Sequence, residues 1–325
     1  MHLSIVIPVY NVEKYIERCI LSTLKQNLDK NDYEIVVVDD ETPDNSMEIV
    51  NKLTKKHTNI KTVSQKNKGL GGARNTGVNH AEGTYVLFLD SDDYLNENVL
   101  KEIITTALDN NLDILDFGAQ GIQEDGKVIY TVKQLLTGKA YSGAEYFSHG
   151  YHQSACVRLY KKAFLQKNKL QFREKVYVED VEFNFKAVFL AEKIMGVNTI
   201  VSSFVQTTGS ITRSHNELKN KKLVTDILDA IKKIDCFSKD IITKNSVAYK
   251  KSREKVNEQT ITLLKILFTK TKDYSFFKEI ICQLKNINLY PLQFRSTNKK
   301  RELFKVFSNN EWLFSQFYKA KPHKK

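Results

Sequence analysis

Two acidic clusters near the start of the chain carry the residue types best suited to chemistry. They are Asp39-Asp40, followed by Asp44, and Asp90-Ser91-Asp92-Asp93. Carboxylates that lie close together repel one another unless something compensates their charge. Mg²⁺ and Mn²⁺ prefer carboxylate oxygens and commonly complete their coordination with phosphate oxygens. Either cluster alone also suits a turn or a helix cap, but two clusters brought together favour a site for a divalent cation and a phosphate.

A glycine-rich stretch lies between the two clusters. It reads Asn67-Lys68-Gly69-Leu70-Gly71-Gly72-Ala73-Arg74-Asn75-Thr76-Gly77. Glycines let backbone N–H groups approach a ligand closely, and the N-terminus of a following helix attracts anions. Arg74 offers a planar cation for a phosphate or for the acidic clusters. Because the spacing is not the G-x-G-x-x-G dinucleotide pattern, a flexible turn into a helix stays open as the alternative.

The pattern of apolar residues predicts the elements that must position these groups. Short runs rich in Ile and Val predict buried parallel strands at Leu3–Val9, Glu34–Val38, Ile60–Val63 and Tyr85–Leu89. Helical spacing between them predicts one helix capped by Asn11, one over Ser46–His57 and one after Gly71-Gly72. This alternation predicts a doubly wound α/β sheet, in which ligands bind beyond the carboxyl ends of the strands. Both acidic clusters follow such strand ends.

The remainder of the chain changes character twice. Between 96 and 213 the pattern is mixed, with predicted elements at Val99–Asn110, Asp113–Phe117, Lys127–Val132, Val181–Ala191 and Asn198–Val205. No linker sets this part apart, so we expect one domain over 1–215, with a donor half at about 1–95 and an acceptor half at about 96–215. From 216 to 325 apolar residues recur at helical spacing, which predicts a basic, amphipathic helical region.

The positive charge of the protein is unevenly distributed. The 325 residues carry a formal net charge of +12, yet residues 1–213 hold 25 Lys+Arg against 27 Asp+Glu, whereas 214–325 hold 25 against 11. Such a basic region suggests a polyanionic partner, either a nucleic acid or an anionic membrane surface. The aromatic segment Leu303–Tyr318, which is flanked by lysines, suits both partners. Helices that pack on the body or on a second subunit, with their lysines facing water, are the third interpretation.

Cysteine usage and hydropathy exclude two classes of protein. Cys19, Cys156, Cys236 and Cys282 form neither a close pair nor a metal-binding spacing, which argues against a disulfide scaffold and favours a reducing compartment. No apolar run approaches the roughly 18 residues of a membrane-spanning helix, and the N-terminus lacks the basic region of a signal peptide. We therefore expect a cytoplasmic protein, either soluble or peripheral at the inner face of the membrane.

Four motifs, in this order, resemble glycosyltransferase family 2. They are Ile7-Pro8-Val9-Tyr10-Asn11, Val38-Asp39-Asp40 with Asp44, the Asn67-to-Gly77 stretch, and Phe88-Leu89-Asp90-Ser91-Asp92-Asp93. The resemblance is close over residues 3–93 and weaker to about 215. It implies a GT-A fold, which is a Rossmann-like nucleotide-diphospho-sugar transferase domain. It also implies an inverting enzyme of cell-surface polysaccharide synthesis, which moves a sugar from a UDP-sugar to a hydroxyl of a saccharide or lipid-linked saccharide with Mn²⁺ or Mg²⁺ as cofactor.

The same resemblance implies roles for individual residues. The donor would be bound by Pro8, Val9, Tyr10, Asp39, Asp40, Asn67, Gly71, Arg74, Asp90, Ser91 and Arg213. Asp92 and His215 would bind the metal. Asp180 would be the general base that takes the proton of the acceptor hydroxyl, and its apolar neighbours Val178 and Val181 would raise the pKa of its carboxyl group. Glu179 as the base, or a helix cap formed by Glu179-Asp180, stays open.

Other functions remain compatible with these features. A non-catalytic nucleotide-sugar-binding or scaffold protein would keep the fold and a basic docking region without transferring a sugar. A nucleotidyltransferase would use a similar sheet and metal, but the long glycine-rich and basic signature after the first strand is absent. For an enzyme, the basic region would bind an anionic membrane surface or form a homodimer, and a nucleic acid is the least favoured partner.

Overall fold

The computed structural model describes residues 1–206, 216–296 and 298–321. Two compact units make up the chain, Met1–Thr207 and Thr208–Lys325, here called unit 1 and unit 2. The strands of unit 1 are β1 Leu3–Val9, β2 Tyr33–Asp39, β3 Ile60–Ser64, β4 Tyr85–Phe88, β5 Tyr94–Leu95, β6 Ile114–Ile122, β7 Val128–Val132, β8 Arg158–Lys161 and β9 Ile194–Val205. Its helices are α1 Ile16–Leu24, α2 Ser46–Thr54, α3 Gly69–His80, α4 Leu100–Asp109, α5 Gly143–His149, α6 Lys162–Lys167 and α7 Glu179–Leu190, with a 3₁₀ turn at Ala155–Val157.

One mixed sheet organises the described part of unit 1. Its strand order is β3-β2-β1-β4-β8-β6-β9-β5, and β7 pairs with β6. Strands β1 to β4 run parallel to one another, whereas β8 is antiparallel to both β4 and β6. Because Val9 of β1 is in register with Asp39 of β2, the carboxyl ends of these strands meet at one edge.

The core explains why the first strands were predictable. β1 is buried along its whole length, as its unbroken apolar run requires for a strand that is covered on both faces. Ile5, Val37 and Leu87 from adjacent strands share one core cluster with Ile16 of α1 and Leu100 of α4. Helices packed on the parallel strands thus hold the carboxyl edge of the sheet rigidly, and the predicted α/β domain followed by a helical region is confirmed.

Some element boundaries differ from the predictions. The first helix begins at Ile16 after the N-cap Tyr15, so the expected cap at Asn11 is wrong. Asn11 instead has a φ of 56° and donates its backbone N–H to Oγ1 of Thr42 at 2.8 Å, within the turn that leaves β1. Helices α5 and α6 were missed because their 7 and 6 residues are too few for a helical period. Strands β5 and β8 were missed because Tyr94–Leu95 and Arg158–Lys161 lack the Ile- and Val-rich run that marked the other strands.

The described part of unit 2 is helical. Its helices are α8 Glu217–Ile241, α9 Val247–Lys270, α10 Tyr274–Asn286, α11 Lys299–Asn309 and α12 Glu311–Lys319. Aromatic rings fill its core: Phe268 stacks on Phe314 at 5.2 Å between ring centroids, and Phe277 lies 4.4 Å from Tyr318. Within the described ranges, none of the helices combines the length and the apolar character needed to cross a bilayer.

Candidate active site

The carboxyl ends of three neighbouring strands bring the sequence-predicted acids to one edge of the sheet. Asp39 ends β2, and Asp90 follows β4, while β1 lies between these strands and ends in Pro8-Val9. Backbone pairing continues past the end of β4, where the Leu89 N–H donates to the Val6 oxygen at 3.0 Å. Tyr10, directly after β1, is 52% exposed. A planar ligand that enters between Asp39 and Asp90 would therefore meet an exposed aromatic ring.

The carboxylates of Asp39 and Asp40 have different surroundings. Asp39 remains partly exposed, and its Oδ1 accepts a hydrogen bond from the Thr42 N–H at 2.9 Å. Asp40 is buried, and its carboxylate accepts bonds from the Lys68 N–H at 2.7 Å and the Gly69 N–H at 2.9 Å, which anchors the start of α3. Asn67 adds a bond from its Nδ2 to the Asp40 backbone oxygen at 3.1 Å. This arrangement favours a positioning role for Asp40 and Asn67 over the direct donor contact that the sequence suggested.

The acid that follows them, Asp44, is also used within the protein. Its carboxylate accepts bonds from the Ser46 hydroxyl at 2.6 Å, the Thr42 hydroxyl at 2.7 Å and the Glu13 N–H at 2.8 Å. Despite some burial, these hydrogen bonds lower the pKa of Asp44 to about 2. Asp44 therefore organises the start of α2, and its carboxylate oxygens are occupied by hydrogen bonds within the protein.

The glycines of α3 are required by close packing. A Cβ atom at Gly71 would collide with the backbone oxygen of Arg173, and one at Gly77 would collide with the Val6 side chain. Any larger residue at these positions would push the helix away from the sheet or from the 173 segment. The glycine-rich stretch is therefore an ordered helix that brings Arg74 against the sheet edge, and the alternative of a flexible turn is wrong.

Arg74 is the centre of the site. Its guanidinium group is buried and donates from Nη2 to Oδ1 of Asp90 at 2.6 Å and from Nη1 to Oε1 of Glu179 at 2.6 Å. The ring of Phe172 lies under the same group, 5.2 Å from it. Arg74 was expected to contact either a phosphate or the acidic clusters. The structure shows the second contact, and one cation thereby joins the end of β4 to the start of α7.

The acidic loop after β4 concentrates negative charge. Burial, followed by repulsion from Asp90, raises the pKa of Asp92 to about 6. Burial and the charges of Asp92 and Asp90 raise the pKa of Asp93 as well, and the Asp93 carboxylate accepts a bond from the Val205 N–H at 2.7 Å. Ser91, also expected at the donor, is buried within this loop. Arg18 of α1 donates to the Asp92 backbone oxygen at 2.8 Å, which fixes the loop from outside.

This loop has the donor chemistry of a site for a hard cation. Carboxylates whose pKa values rise through mutual repulsion gain stability when a divalent cation neutralises them. In the parts of the chain that the structure covers, no group of three or more His, Cys, Asp and Glu side chains is placed to hold a metal. Asp92 would therefore bind a cation only together with oxygens from a ligand, as Mg²⁺ and Mn²⁺ sites that use substrate phosphates do.

Asp180 lies in the first turn of α7, beside Glu179. The preceding residue, Val178, has a φ of 56°, a left-handed conformation that is strained for a β-branched residue. This turn allows Glu179 to be buried against Arg74 while Asp180 stays partly exposed. Burial, followed by the charge of Glu179, raises the pKa of Asp180 to about 7, and Arg74 opposes the rise. Because Arg74 engages Glu179, Asp180 is the better candidate for the general base.

Two predicted site residues lie outside the described residues, and one buried ion pair was not predicted. Arg213 and His215, expected near the diphosphate and the metal, fall in the range 207–215. Sequence reasoning assigned no role to the ion pair of Arg158 and Asp116, which is completely buried with 2.7 Å between Nε and Oδ1. Residues on different strands carry these charges, so no local sequence pattern could have revealed that they pair.

Comparison with known proteins identifies relatives among bacterial glycosyltransferases. The uncharacterized glycosyltransferase EpsJ of Bacillus subtilis is 34% identical over 218 residues, which are 64% of this chain and 62% of that protein. The poly(ribitol-phosphate) beta-N-acetylglucosaminyltransferase TarS of Staphylococcus aureus is 31% identical over 196 residues, 60% of this chain and 34% of TarS. The chain thus spans less than two thirds of the length of these relatives.

Solved structures share the fold. Residues 1–349 of S. aureus TarS, in complex with UDP-GlcNAc, superpose with a TM-score of 0.64 at 22% identity and cover 96% of this chain and 82% of that one. A mannosyltransferase from Pyrobaculum calidifontis, in complex with GDP-Man and Mn²⁺, gives a TM-score of 0.55 at 13% identity, with 100% of this chain and 88% of that one covered. The predicted GT-A domain is therefore confirmed. The family model for glycosyl transferase family 2 matches residues 4–168, about half of the sequence, and the chain belongs to that family.

Proposed function

We propose that the chain is an inverting glycosyltransferase that moves a sugar from a UDP-sugar to a hydroxyl of a saccharide or lipid-linked saccharide, in the synthesis of a cell-surface polysaccharide. The observation that carries the proposal is the bridge formed by Arg74. It holds Asp90, at the predicted donor side, and Glu179, next to the predicted base, on one guanidinium group. This bridge supports a single site in which donor binding and proton removal would take place side by side.

The donor side suits a uracil nucleotide. Asp39 is partly exposed at the end of β2 and would accept a hydrogen bond from the uracil N–H, beside the exposed ring of Tyr10. Asp90, across the end of β1, would lie near the ribose. The S. aureus TarS complex holds UDP-GlcNAc and the P. calidifontis mannosyltransferase holds GDP-Man, so donors in this fold include nucleoside diphosphate sugars.

The acceptor side suits single-step inversion. The Asp180 carboxylate takes the proton of the acceptor hydroxyl while the acceptor oxygen forms a bond to the anomeric carbon. The bond between that carbon and the diphosphate oxygen breaks, and UDP leaves with the electron pair. A base works best when its pKa lies close to the working pH, and the pKa of Asp180, about 7, meets this condition.

A divalent cation completes the proposal. Asp92 would hold Mn²⁺ or Mg²⁺ together with the diphosphate oxygens, and the cation would neutralise charge on the leaving group. Burial, followed by repulsion from Asp90, raises the pKa of Asp92 to about 6, and a cation would relieve the repulsion. Asp90 is held by Arg74 and would orient the ribose.

We also propose that unit 2 docks on an anionic membrane surface. Four large apolar side chains of α11 and α12 are exposed: Leu303 at 72%, Val306 at 62%, Trp312 at 70% and Phe317 at 55%. Lys299 and Lys300, at the start of α11, are exposed and form no ion pair within the described ranges. Apolar and aromatic groups that insert at the lipid interface, together with lysines that attract anionic headgroups, are typical of membrane-surface helices. This charge complementarity favours a membrane over a second subunit.

A donor screen tests the transferase proposal. The purified chain is incubated with a panel of UDP-sugars, with Mn²⁺ or with EDTA, and with poly(ribitol phosphate) and oligosaccharides as acceptors. We expect metal-dependent release of UDP and a glycosylated acceptor. If UDP binds but no sugar is released from any donor, the chain is a nucleotide-sugar-binding protein and the proposal is wrong.

A further inference from the structure

Three consecutive backbone carbonyls in the loop after α5 are held by side chains from other elements of unit 1. Arg158 of β8 donates from Nη2 to the His152 oxygen at 2.6 Å and from Nη1 to the Ser154 oxygen at 2.7 Å. Asn184 of α7 donates from Nδ2 to the Gln153 oxygen at 2.6 Å. Surface loops usually leave such carbonyls to water. The segment 151–154, here called the 151–154 loop, is therefore fixed in one conformation.

The groups that hold this loop are themselves fixed. Arg158 is completely buried and ion-paired with Asp116, with 2.7 Å between Nε and Oδ1. Oδ1 of Asn184 accepts a bond from the Tyr160 hydroxyl at 2.5 Å, which leaves its Nδ2 directed at the loop. A loop that only connects two elements does not need a buried ion pair and a buried amide to hold its backbone. We therefore infer that the conformation of this loop matters for function.

The fixed loop lies next to the candidate base. Asn184 follows Asp180 by four residues on α7, so both lie on one face of the helix, roughly 6 Å apart along its axis. Burial raises the pKa of the Tyr151 phenol, and the charge of Asp180 adds to that rise. The 151–154 loop is therefore bound to α7 about one helical turn away from Asp180.

Most side chains of the loop are engaged. Nδ1 of His152 accepts a bond from the Ser154 N–H, the Ser154 hydroxyl accepts one from the Cys156 N–H, and the Tyr151 ring lies 5.5 Å from the Arg158 guanidinium. Gln153 differs, because it is partly exposed and its carboxamide forms no hydrogen bond to any residue that the structure describes. A primary amide offers two N–H donors and one acceptor oxygen, which matches a hydroxyl that both donates and accepts.

We propose that Gln153 binds a hydroxyl group of the saccharide or polyol acceptor, and that Arg158 and Asn184 are positioning residues that hold the 151–154 loop beside Asp180. This inference rests on the proposed function, since it requires an acceptor whose hydroxyl is activated by Asp180. It adds a residue that selects the acceptor and has no part in binding the donor.

Gln153→Ala tests the contact, and Gln166→Ala, at an exposed position of α6, is the matched control. Two rates are measured: transfer from UDP-GlcNAc to poly(ribitol phosphate), and hydrolysis of the same donor without acceptor. If another donor and acceptor give a higher wild-type rate in the donor screen, that pair is used instead. We expect Gln153→Ala to raise the acceptor KM roughly 3- to 10-fold, the effect of one hydrogen bond, with donor KM and hydrolysis unchanged. An unchanged acceptor KM, or an equal loss of hydrolysis, overturns the proposal.

Asn184→Asp tests the positioning role. Aspartate keeps an acceptor for the Tyr160 hydroxyl but removes the N–H that holds the Gln153 oxygen. We expect a higher acceptor KM at an unchanged donor KM, a split that a general loss of folding would not produce. If this variant does not fold, Gln153→Ala still tests whether Gln153 contacts the acceptor. A wild-type chain that turns over no nucleotide sugar would refute the proposed function itself, whereas normal acceptor kinetics in Gln153→Ala would refute the inference alone.

Discussion

Nη1 of Arg74 lies 2.6 Å from Oε1 of Glu179, although 105 residues separate the two in sequence. Arg74 is on the helix that follows β3, and Glu179 begins the helix that carries the candidate base. Since Nη2 of Arg74 also binds Asp90 at 2.6 Å, one guanidinium group links the loop after β4 to the start of α7. The first prediction concerns this bridge.

Arg74→Ala should lower the free energy of unfolding by about 3–5 kcal/mol, because it leaves the Glu179 carboxylate buried without its partner. Chemical denaturation measures the change. Lys25→Ala is the control, since it removes an ion pair with Glu97 whose side chains are 64% and 63% exposed, and it should cost less than about 1 kcal/mol. Equal effects of the two variants would contradict the central role of Arg74.

Asp180→Asn should lower the rate of transfer by about 10²- to 10⁴-fold, the usual contribution of a general base. Donor binding should persist, because Asp180 does not contact the nucleotide in the proposed site. Initial rates and UDP titration measure the two effects separately. Asp109→Asn, at the exposed end of α4, is the control and should behave as wild type. Transfer by Asp180→Asn within a few-fold of wild type would assign the base to another residue.

The pH dependence of stability should also reveal Asp180. Its folded-state pKa, about 7, lies above that of an unfolded aspartate, so it stabilises the fold fully only below the unfolded pKa, and this contribution is lost as pH rises through 7. The free energy of unfolding of Asp180→Asn, relative to that of the wild type, should therefore increase as the pH rises from 5 to 8. We expect a change of about 1–2 kcal/mol, allowing for partial exposure. A difference that is constant over this range would mean that the carboxyl group titrates normally.

Asp92→Asn should abolish the part of donor affinity that depends on a divalent cation. Asparagine keeps the size of the side chain but removes the negative charge that a cation requires. Thermal shifts with UDP, in the presence of Mn²⁺ or EDTA, measure this effect, and the Asp109→Asn control should retain the Mn²⁺-dependent shift. If Asp92→Asn retains it too, the cation is bound elsewhere.

Trp312→Ser combined with Leu303→Ser should reduce co-sedimentation with vesicles that contain anionic lipid several-fold. The substitutions remove exposed apolar surface, which supplies part of the binding free energy of an interfacial helix. Leu218→Ser, on α8 and 76% exposed, is the matched control and should bind as wild type does. If the wild-type chain does not bind anionic vesicles at low salt but self-associates through Trp312 and Leu303, the surface is a subunit interface.

Local patterns in the sequence were sufficient for the frame of unit 1 and for the acids at its edge. Buried parallel strands need continuous apolar runs, so Leu3–Val9 was predicted with the bounds that the structure has. The strand ends were then visible at Asp39 and Asp90, where the apolar runs stop. The cap predicted at Asn11 was wrong because a contact to Thr42, remote in sequence, holds that residue in a turn.

Only the tertiary structure decided which charged groups contact one another. Asp39 and Asp40 are adjacent in sequence, yet one is partly exposed and the other is used to anchor α3, because successive side chains of an extended chain point to opposite faces of the sheet. Arg74, Asp90 and Glu179 meet because three separate elements converge on one point. The sequence by itself determined the buried parallel strands and the residue types that stand at their ends. Which carboxylate is paired, and which remains able to take a proton, depends on long-range packing that no local pattern encodes.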